Sequence, residues 1–226
     1  MPRVNIFTLI HKGLRTLLYE TASCLQQTDF THDAETEAAL DHLREALFLF
    51  EEHARHEDMH ILPAVAAYEP SVADCFGQEH DTDAQLAAEL SATADTFFLL
   101  PDAAARTEAG TALNVAFAEF VVFNLKHMAC EERLLNELLW RYYSDTEILA
   151  IQQRIVLSQE PWTADLYWRW MLQGNNHPDT LRWFRAVAAL APAAVLEQLL
   201  RKAATVLPPT RAVALHQALA AAPVAA

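Results

Sequence analysis

Apolar residues recur three and four positions apart through the first 143 residues of the chain, which is the spacing of one face of an α-helix. Turn and breaker residues divide this part into four long stretches, at about 5–27, 31–68, 71–100 and 101–143. Pro63 is a candidate kink in the second. Because each stretch is amphipathic and the connections are short, the pattern predicts an all-α protein built on an up-down-up-down four-helix bundle.

The character of the sequence changes from Ser144 onward. Prolines interrupt shorter apolar stretches, and four of the five tryptophans lie here, at Trp162, Trp168, Trp170 and Trp183. We interpret this aromatic content as the core of a smaller helical subdomain, not as a ligand-binding box. The predicted domains are therefore a bundle at 1–143 and a C-terminal helical subdomain at 144–226, whose first helix could still pack on the bundle.

Composition and charge narrow the function classes. A hydrophobic content of 53% with only four glycines favours a helical globular protein. The formal charge of −14 argues against nucleic acid or an anionic membrane surface as a partner, since both attract clustered Lys and Arg. The longest apolar stretch, 111–125, is too short to cross a bilayer. No export signal is visible, so the cytoplasm is the expected location.

Three cysteines, Cys24, Cys75 and Cys130, lie far apart in the sequence. Their odd number and wide spacing form neither a disulfide framework nor a thiolate zinc motif. We expect them to be buried free thiols.

One short spacing occurs twice and carries the candidate chemistry: His53 is followed four residues later by Glu57, and His127 by Glu131. Residues four apart share a helix face, so each pair can direct an imidazole and a carboxylate to the same place. His11 and His80 lie on the two remaining long stretches.

The positions of these residues along the predicted helices agree with one another. From the first turn, His11 lies about 19 residues back and His53 about 23 forward; from the last turn, His80 lies about 21 back and His127 about 26 forward, at about 1.5 Å per residue. Four helices therefore bring His and Glu side chains to one layer of the core. Such a donor set suits iron, manganese, cobalt or zinc, and paired carboxylates can clamp two metals.

The local strings around these residues resemble those of the hemerythrin-like proteins. They are IHKGLRTLL, HARHEDMHILP, QEHDTDAQL and HMACEERLL, and the resemblance covers about residues 5–143. It implies a non-haem diiron centre, that is, two iron ions as cofactor. The implied ligands are His11, His53, Glu57, His80, His127 and Glu131.

The sequence departs from the oxygen-carrying hemerythrins in two places. Their third helix supplies a second His four residues from the first, whereas Phe76 and Ala84 stand four residues before and after His80. Their last helix pairs a His with an Asp five residues on; here Glu131 stands at four and Glu132 at five, and the shared face with His127 favours Glu131. The set of four His and two Glu looks more like the bacterial iron-centre repair proteins and the iron-sensing hemerythrin-like domains. The Cys-containing N-terminal extension of many repair proteins is absent.

Other polar residues near the motifs have a structural alternative. His56 and His60 form a further pair four apart that could touch the site. Glu52, Asp58 and Glu132 fit a solvated face, with orientation of a ligand imidazole as the alternative. Surface or capping positions are expected for the remaining histidines, His32, His42, His177 and His216.

These observations favour a binding module for dioxygen, nitric oxide or peroxide in sensing or stress response. A redox enzyme or iron-sulfur-centre repair factor using the same site is one alternative, and a metal-stabilised interaction protein is another. Expected partners are small ligands such as dioxygen, nitric oxide or azide, and a protein partner or a second copy could bind through the C-terminal subdomain. Nucleotide, flavin and nucleophile motifs are not visible.

Overall fold

The computed structural model describes residues 3–221, which are helical almost throughout and contain no strand. The all-α prediction is confirmed. In chain order the helices are α1 (Thr8–Gln27), α2 (Asp33–His60), α3 (Leu62–Ala66), α4 (Pro70–Thr96), α5 (Ala103–Cys130), α6 (Asn136–Tyr142), α7 (Asp145–Ser158), α8 (Pro161–Gly174), α9 (His177–Leu190), α10 (Ala193–Val206) and α11 (Pro209–Ala220). A 3₁₀ turn at Phe97–Leu99 follows α4, and a π-helical turn at Glu131–Leu135 joins α5 to α6.

The described residues form two compact units. The first contains the residues up to Thr8 together with Leu17–Gln159, and the second contains Leu9–Thr16 together with the residues from Glu160 onward. Helix α1 is therefore common to both, since its second and third turns belong to the second unit. Compactness does not test which parts fold independently, so the domains 1–143 and 144–226 stay a prediction.

The long helices begin and end where local chemistry requires it. The Asp102 side chain accepts a hydrogen bond from the Ala105 backbone at 2.9 Å and caps α5. Helix α2 ends at His60, before the expected boundary near residue 68, and α3 starts just after it. Pro63 has no N–H to continue the hydrogen-bond ladder, which explains the break.

Apolar stripes of the long helices fill the core of the first unit. Phe120 packs edge-on against Phe50, with ring centroids 5.5 Å apart, and stacks on Phe117 at 5.8 Å. At one end of the unit a further cluster includes Phe7, Phe76 and Leu135, and α7 joins it through Ile148. The Trp140 indole donates to the Val4 carbonyl at 2.6 Å, which fixes the segment before α1 on α6.

The second unit has its own core. Its fully buried residues include Leu172, Phe184 and Leu199, and the partly buried rings of Trp168 and Trp183 pack around them. This packing agrees with the interpretation of Trp168 and Trp183 as core, and Trp170 is also buried, at 2% exposure. For Trp162, which is 57% exposed, the interpretation is wrong. Within residues 3–221, none of the helices has the length and apolarity needed to cross a lipid bilayer.

Two glycines of the first unit should respond oppositely to alanine. A Cβ on Gly110 of α5 would lie 2.2 Å from the ring of Phe30, which is itself packed on Phe97. We expect Gly110→Ala to lower the free energy of unfolding by about 1–3 kcal/mol, the usual cost of overpacking. Urea denaturation of the purified chain measures it.

Gly77→Ala is the matched control, because a Cβ on this helical glycine meets no atom within 4 Å. It should leave stability unchanged or raise it by up to about 1 kcal/mol through helix propensity. Equal destabilisation by both substitutions would contradict the packing of Phe30 on α5.

Candidate metal centre

The six predicted residues lie on four helices and the π-helical turn after α5, and all are largely buried. His11 of α1 and Glu131 of the π-helical turn are fully buried, with 0% exposure, and none of the other four exceeds 9%. His53 and Glu57 share one face of α2, as their spacing predicted.

Their potential ligand atoms form two groups, in each of which all atoms lie within 4.8 Å of one another. One group comprises Glu57, His80, His127 and Glu131, and the other comprises His11, His53, Glu57 and Glu131. The structure thus brings all six residues together, with both glutamates common to the two groups. That they bind metal stays a prediction.

The imidazoles direct their Nε2 atoms to the glutamates. His80 Nε2 lies 3.4 Å from Glu57 Oε2, and His53 Nε2 lies 3.3 Å from Glu57 Oε1. His127 Nε2 lies 3.1 Å from Glu131 Oε1 and 3.1 Å from His80 Nε2. A carboxylate with one oxygen toward each of two imidazoles has the arrangement needed to bridge two cations.

Glu57 provides a direct test of whether a cation fits. Its side chain is 2% exposed, and neither of its oxygens accepts a hydrogen bond of ordinary geometry. Burying an ionised carboxylate in this way is costly unless a positive charge compensates it. Burial, and next the nearby Glu131 carboxylate, raise the pKa of Glu57 well above its ordinary value.

The pKa values of two of the imidazoles show that the buried carboxylates favour a positive charge beside them. Burial alone lowers the pKa of His80, but the Glu131 and Glu57 carboxylates outweigh it and raise that pKa to about 11. His127 behaves alike: against the effect of burial, Glu131 and Glu79 raise its pKa to about 9. Imidazoles and carboxylates are ligands that iron and related divalent metals accept, so the donor set fits a metal that would take the place of these protons.

Two further carboxylates hold the imidazoles from outside. His80 donates from Nδ1 to Asp58 Oδ1 at 2.7 Å, and His127 donates from Nδ1 to Glu79 Oε2 at 2.6 Å. Carboxylates only accept, so these contacts place the proton on Nδ1 and leave Nε2 available toward the group. The sequence offered Asp58 only as an alternative, and it missed Glu79, whose partner lies on another helix.

Glu131 and Glu132, the two candidate carboxylates after His127, lie in different surroundings. Glu131 belongs to both groups, whereas Glu132 is partly exposed and outside them. The turn that follows is π-helical: the Asn136 backbone donates to the Glu131 carbonyl, and its side chain donates to the Glu132 carbonyl at 2.8 Å. Such π turns recur at functional sites.

A buried polar pair next to the groups was not predicted. Asn124 of α5 donates to Asp83 of α4 at 2.6 Å, and both side chains are at most 5% exposed. Burial raises the pKa of Asp83. Asp83 lies three residues after His80 and Asn124 three before His127, a same-face spacing that could have identified them.

The remaining candidates lie outside both groups. His56 is buried beside Arg55, with its Nε2 3.1 Å from Nη2 of that guanidinium, and His60 contacts Ser158 at 3.2 Å. His32 is exposed and caps α2. His42 and His216 are exposed, and His177 is partly buried.

Phe76 and Ala84 are the two positions on α4 where oxygen-carrying hemerythrins could have a second histidine, and they differ strongly in exposure. Phe76 is 4% exposed, with its ring centroid 5.6 Å from that of His127. Ala84 is exposed. The apolar ring of Phe76, on α4, therefore occupies the space beside His127.

Buried imidazoles and carboxylates contributed by the long helices form the donor set expected of a helical cation-binding protein. The family model of the hemerythrin HHE cation binding domain matches residues 3–139, more than half of the 226-residue chain, and the chain belongs to this family. No curated protein and no solved structure matches it. The family resemblance expected from the sequence is thus confirmed.

The outer carboxylates yield a prediction. Glu79→Ala removes the acceptor that orients His127, and should weaken metal binding about 10–100-fold, the usual effect of losing such a partner. Competition with a chromophoric chelator measures the affinity.

Asp81→Ala is the matched control, because Asp81 also adjoins His80 on α4 but is exposed. It removes the same charge and should change the affinity by less than about 3-fold, as expected for a solvated charge. Similar losses in both variants would mean that Glu79 acts only through its charge.

Proposed function

We propose that this chain is a non-haem diiron protein that binds small diatomic or oxidant ligands such as dioxygen, nitric oxide or peroxide, in sensing or stress response. The proposed ligands of the two irons are the six residues of the two groups. The observation that supports this most is the sharing of Glu57 and Glu131 between two otherwise separate sets of histidines.

The donor chemistry supports iron. The two groups contain imidazoles and carboxylates and no thiolate, a set that suits iron, manganese, cobalt and zinc. When bound, iron would supply reversible electron transfer and coordination positions for small ligands. The family match supports a cation, and the choice of iron over the other metals is part of the proposal.

The chain's own residues would hold and shield such a centre. Asp58 and Glu79 fix two imidazoles with Nε2 inward. Phe76 and Phe123 place their rings on His127, at centroid distances of 5.6 and 6.0 Å. These rings form an apolar surface on that side of His127, which favours small uncharged ligands over bulky or charged ones.

Helix α4 contributes a single histidine, His80, to the proposed ligand set. With six protein ligands for two irons, several coordination positions remain for exogenous molecules. Both a ligand-binding protein and a redox enzyme need such open positions, so their presence does not distinguish the two functions. Product analysis after ligand exposure separates these outcomes.

Metal content tests the proposal directly. Protein produced with iron should carry about two irons per chain, because each of the two groups would hold one cation and both include Glu57 and Glu131. Glu57→Ala should lose most of this metal and melt at a lower temperature, since it removes the carboxylate common to both groups. Elemental analysis and thermal denaturation measure the two effects.

Glu52→Ala is the control on the same helix. Glu52 pairs with Arg55 through two contacts of 2.7 Å and belongs to neither group, so its loss should leave the metal content unchanged. One equivalent of zinc in the wild-type protein, with no iron, would refute the diiron proposal.

Exposure to small ligands gives the second test. The ferrous protein should bind nitric oxide readily and oxidise quickly in air, because open positions admit water and a second ligand. Phe76→His adds an imidazole beside His127 and should slow this oxidation several-fold. Stopped-flow optical spectra under controlled gas measure both.

Ala84→His and Phe76→Leu are the controls for this experiment. The first adds a histidine at an exposed position, and the second removes the ring without adding a donor. Neither should slow oxidation. An oxygenated wild-type protein that persists for hours would instead make the chain a reversible oxygen carrier, and catalytic turnover of nitric oxide or peroxide would make it an enzyme.

A further inference from the structure

Three tyrosines of the first unit form one cluster. Tyr68 lies in the turn between α3 and α4, while Tyr142 and Tyr143 lie where α6 ends. The rings of Tyr68 and Tyr142 stack, with centroids 4.3 Å apart and planes 6° from parallel. Tyr143 meets Tyr68 edge-on, with a centroid distance of 5.7 Å. The ring of Tyr68 is thus in contact with two phenols that are neighbours in the sequence.

These two neighbouring phenols differ in their hydrogen-bond acceptors. Tyr142 donates its hydroxyl to the Glu69 carboxylate at 2.6 Å, whereas Tyr143 donates to the Ala64 carbonyl at 2.8 Å. A carboxylate within this distance can take up the proton, and a backbone carbonyl only accepts the hydrogen bond. Of the two phenols, Tyr142 is therefore the one with a base beside it.

The charges near Tyr142 couple loss of an electron from its ring to loss of its phenolic proton. The hydrogen bond to Glu69 raises the pKa of Tyr142, so the phenol keeps its proton at neutral pH. The Arg141 guanidinium lies 6.0 Å from the ring centroid and opposes a positive charge on that ring. An electron leaves Tyr142 readily only when the proton moves to Glu69, which leaves a neutral radical.

The segment that supplies the base also supplies the second ring. Glu69 follows Tyr68 directly, and the backbone N–H groups of both residues donate to the Val65 carbonyl, at 2.8 and 3.1 Å. Tyr68 is 51% exposed, so its ring is accessible to oxidants in solution and can turn edge-on toward Tyr142. One ordered turn thus places a reactive ring and a proton acceptor beside the same phenol.

We propose that Tyr68 and Tyr142 form an oxidative modification site, at which one-electron oxidants such as peroxide-derived radicals join the two rings as dityrosine, with Glu69 as the base. This site goes beyond the proposed function and does not need the metal centre. The new bond would tie the turn before α4 to α6 and leave a covalent record of exposure to oxidants.

The electrons and protons of this reaction balance. Each ring gives one electron to one equivalent of oxidant, which is reduced; the phenolic proton of Tyr142 passes to Glu69 and that of Tyr68 to water. The two radicals form one carbon–carbon bond between carbons ortho to the hydroxyls. The hydrogens on those carbons then move to the oxygens and restore both phenols, so the pair loses two electrons and two protons in all.

Treatment of the full-length chain in dilute solution with hexachloroiridate(IV), which accepts one electron at a time, tests this proposal. Dityrosine fluorescence should appear in the monomeric chain, and peptide mapping by mass spectrometry should find residues 68 and 142 linked. Tyr68→Phe and Tyr142→Phe should each abolish this link. Tyr19→Phe is the matched control, because Tyr19 is 54% exposed and should not affect the yield. Circular dichroism confirms that each variant is folded.

Glu69→Gln separates the base from the packing of the rings, because glutamine can accept the same hydrogen bond but cannot take up the proton. It should slow formation of the link at neutral pH by about 10-fold or more, as expected when a positioned base is lost. Alkaline pH should restore the rate, since an ionised phenol has no proton to lose. Tyr143→Phe should leave the rate unchanged.

Three results would overturn the proposal. The first is a folded wild-type chain that forms no dityrosine or forms it only between chains. The second is a link between residues 68 and 143 in place of 142, and the third is a wild-type rate in Glu69→Gln at neutral pH. Since the oxidant acts without bound metal, none of these results changes the metal content that tests the proposed function.

Discussion

The burial of two carboxylates among imidazoles is the constraint on which this structure depends. Glu57 and Glu131 are removed from water, and histidine imidazoles lie beside both carboxylates. An ionised carboxylate in such surroundings is tolerated only with a compensating charge. Against the effect of burial, the buried carboxylates therefore raise the pKa values of His80 and His127. The outer carboxylates that accept from the Nδ1 atoms of these histidines favour the same positive charge.

Much of the site could be predicted because helix geometry is local. A spacing of four residues fixes a shared face whatever the helix packs against, which is why His53 and Glu57, and also His127 and Glu131, converge as expected. Counting from the turns then placed His11 and His80 at the same level, since the rise per residue is constant. The family resemblance gave the same six residues, and the match over 3–139 agrees with it.

What could not be predicted depends on how helices are rotated and packed against each other. Glu79 meets His127 across a helix interface, and no spacing within one helix encodes that contact. The packing of Gly13 and Gly174 against backbone from distant segments has no periodic signature either. The extent of the compact units follows from such long-range contacts, so the grouping of Leu9–Thr16 with the C-terminal helices could not be inferred from the positions of prolines and tryptophans.

Consecutive residues on α2 and α4 face different partners, and this has a mechanical consequence. Glu57 belongs to the metal-ligand groups while the next residue, Asp58, holds the imidazole of α4; on α4, His80 belongs to a group while the preceding Glu79 holds the imidazole of α5. One residue corresponds to a rotation of about 100° about the helix axis. Any axial turning of α2 or α4 therefore breaks an inner and an outer contact together. The chain of carboxylates and imidazoles therefore opposes rotation of α2 and α4 about their own axes.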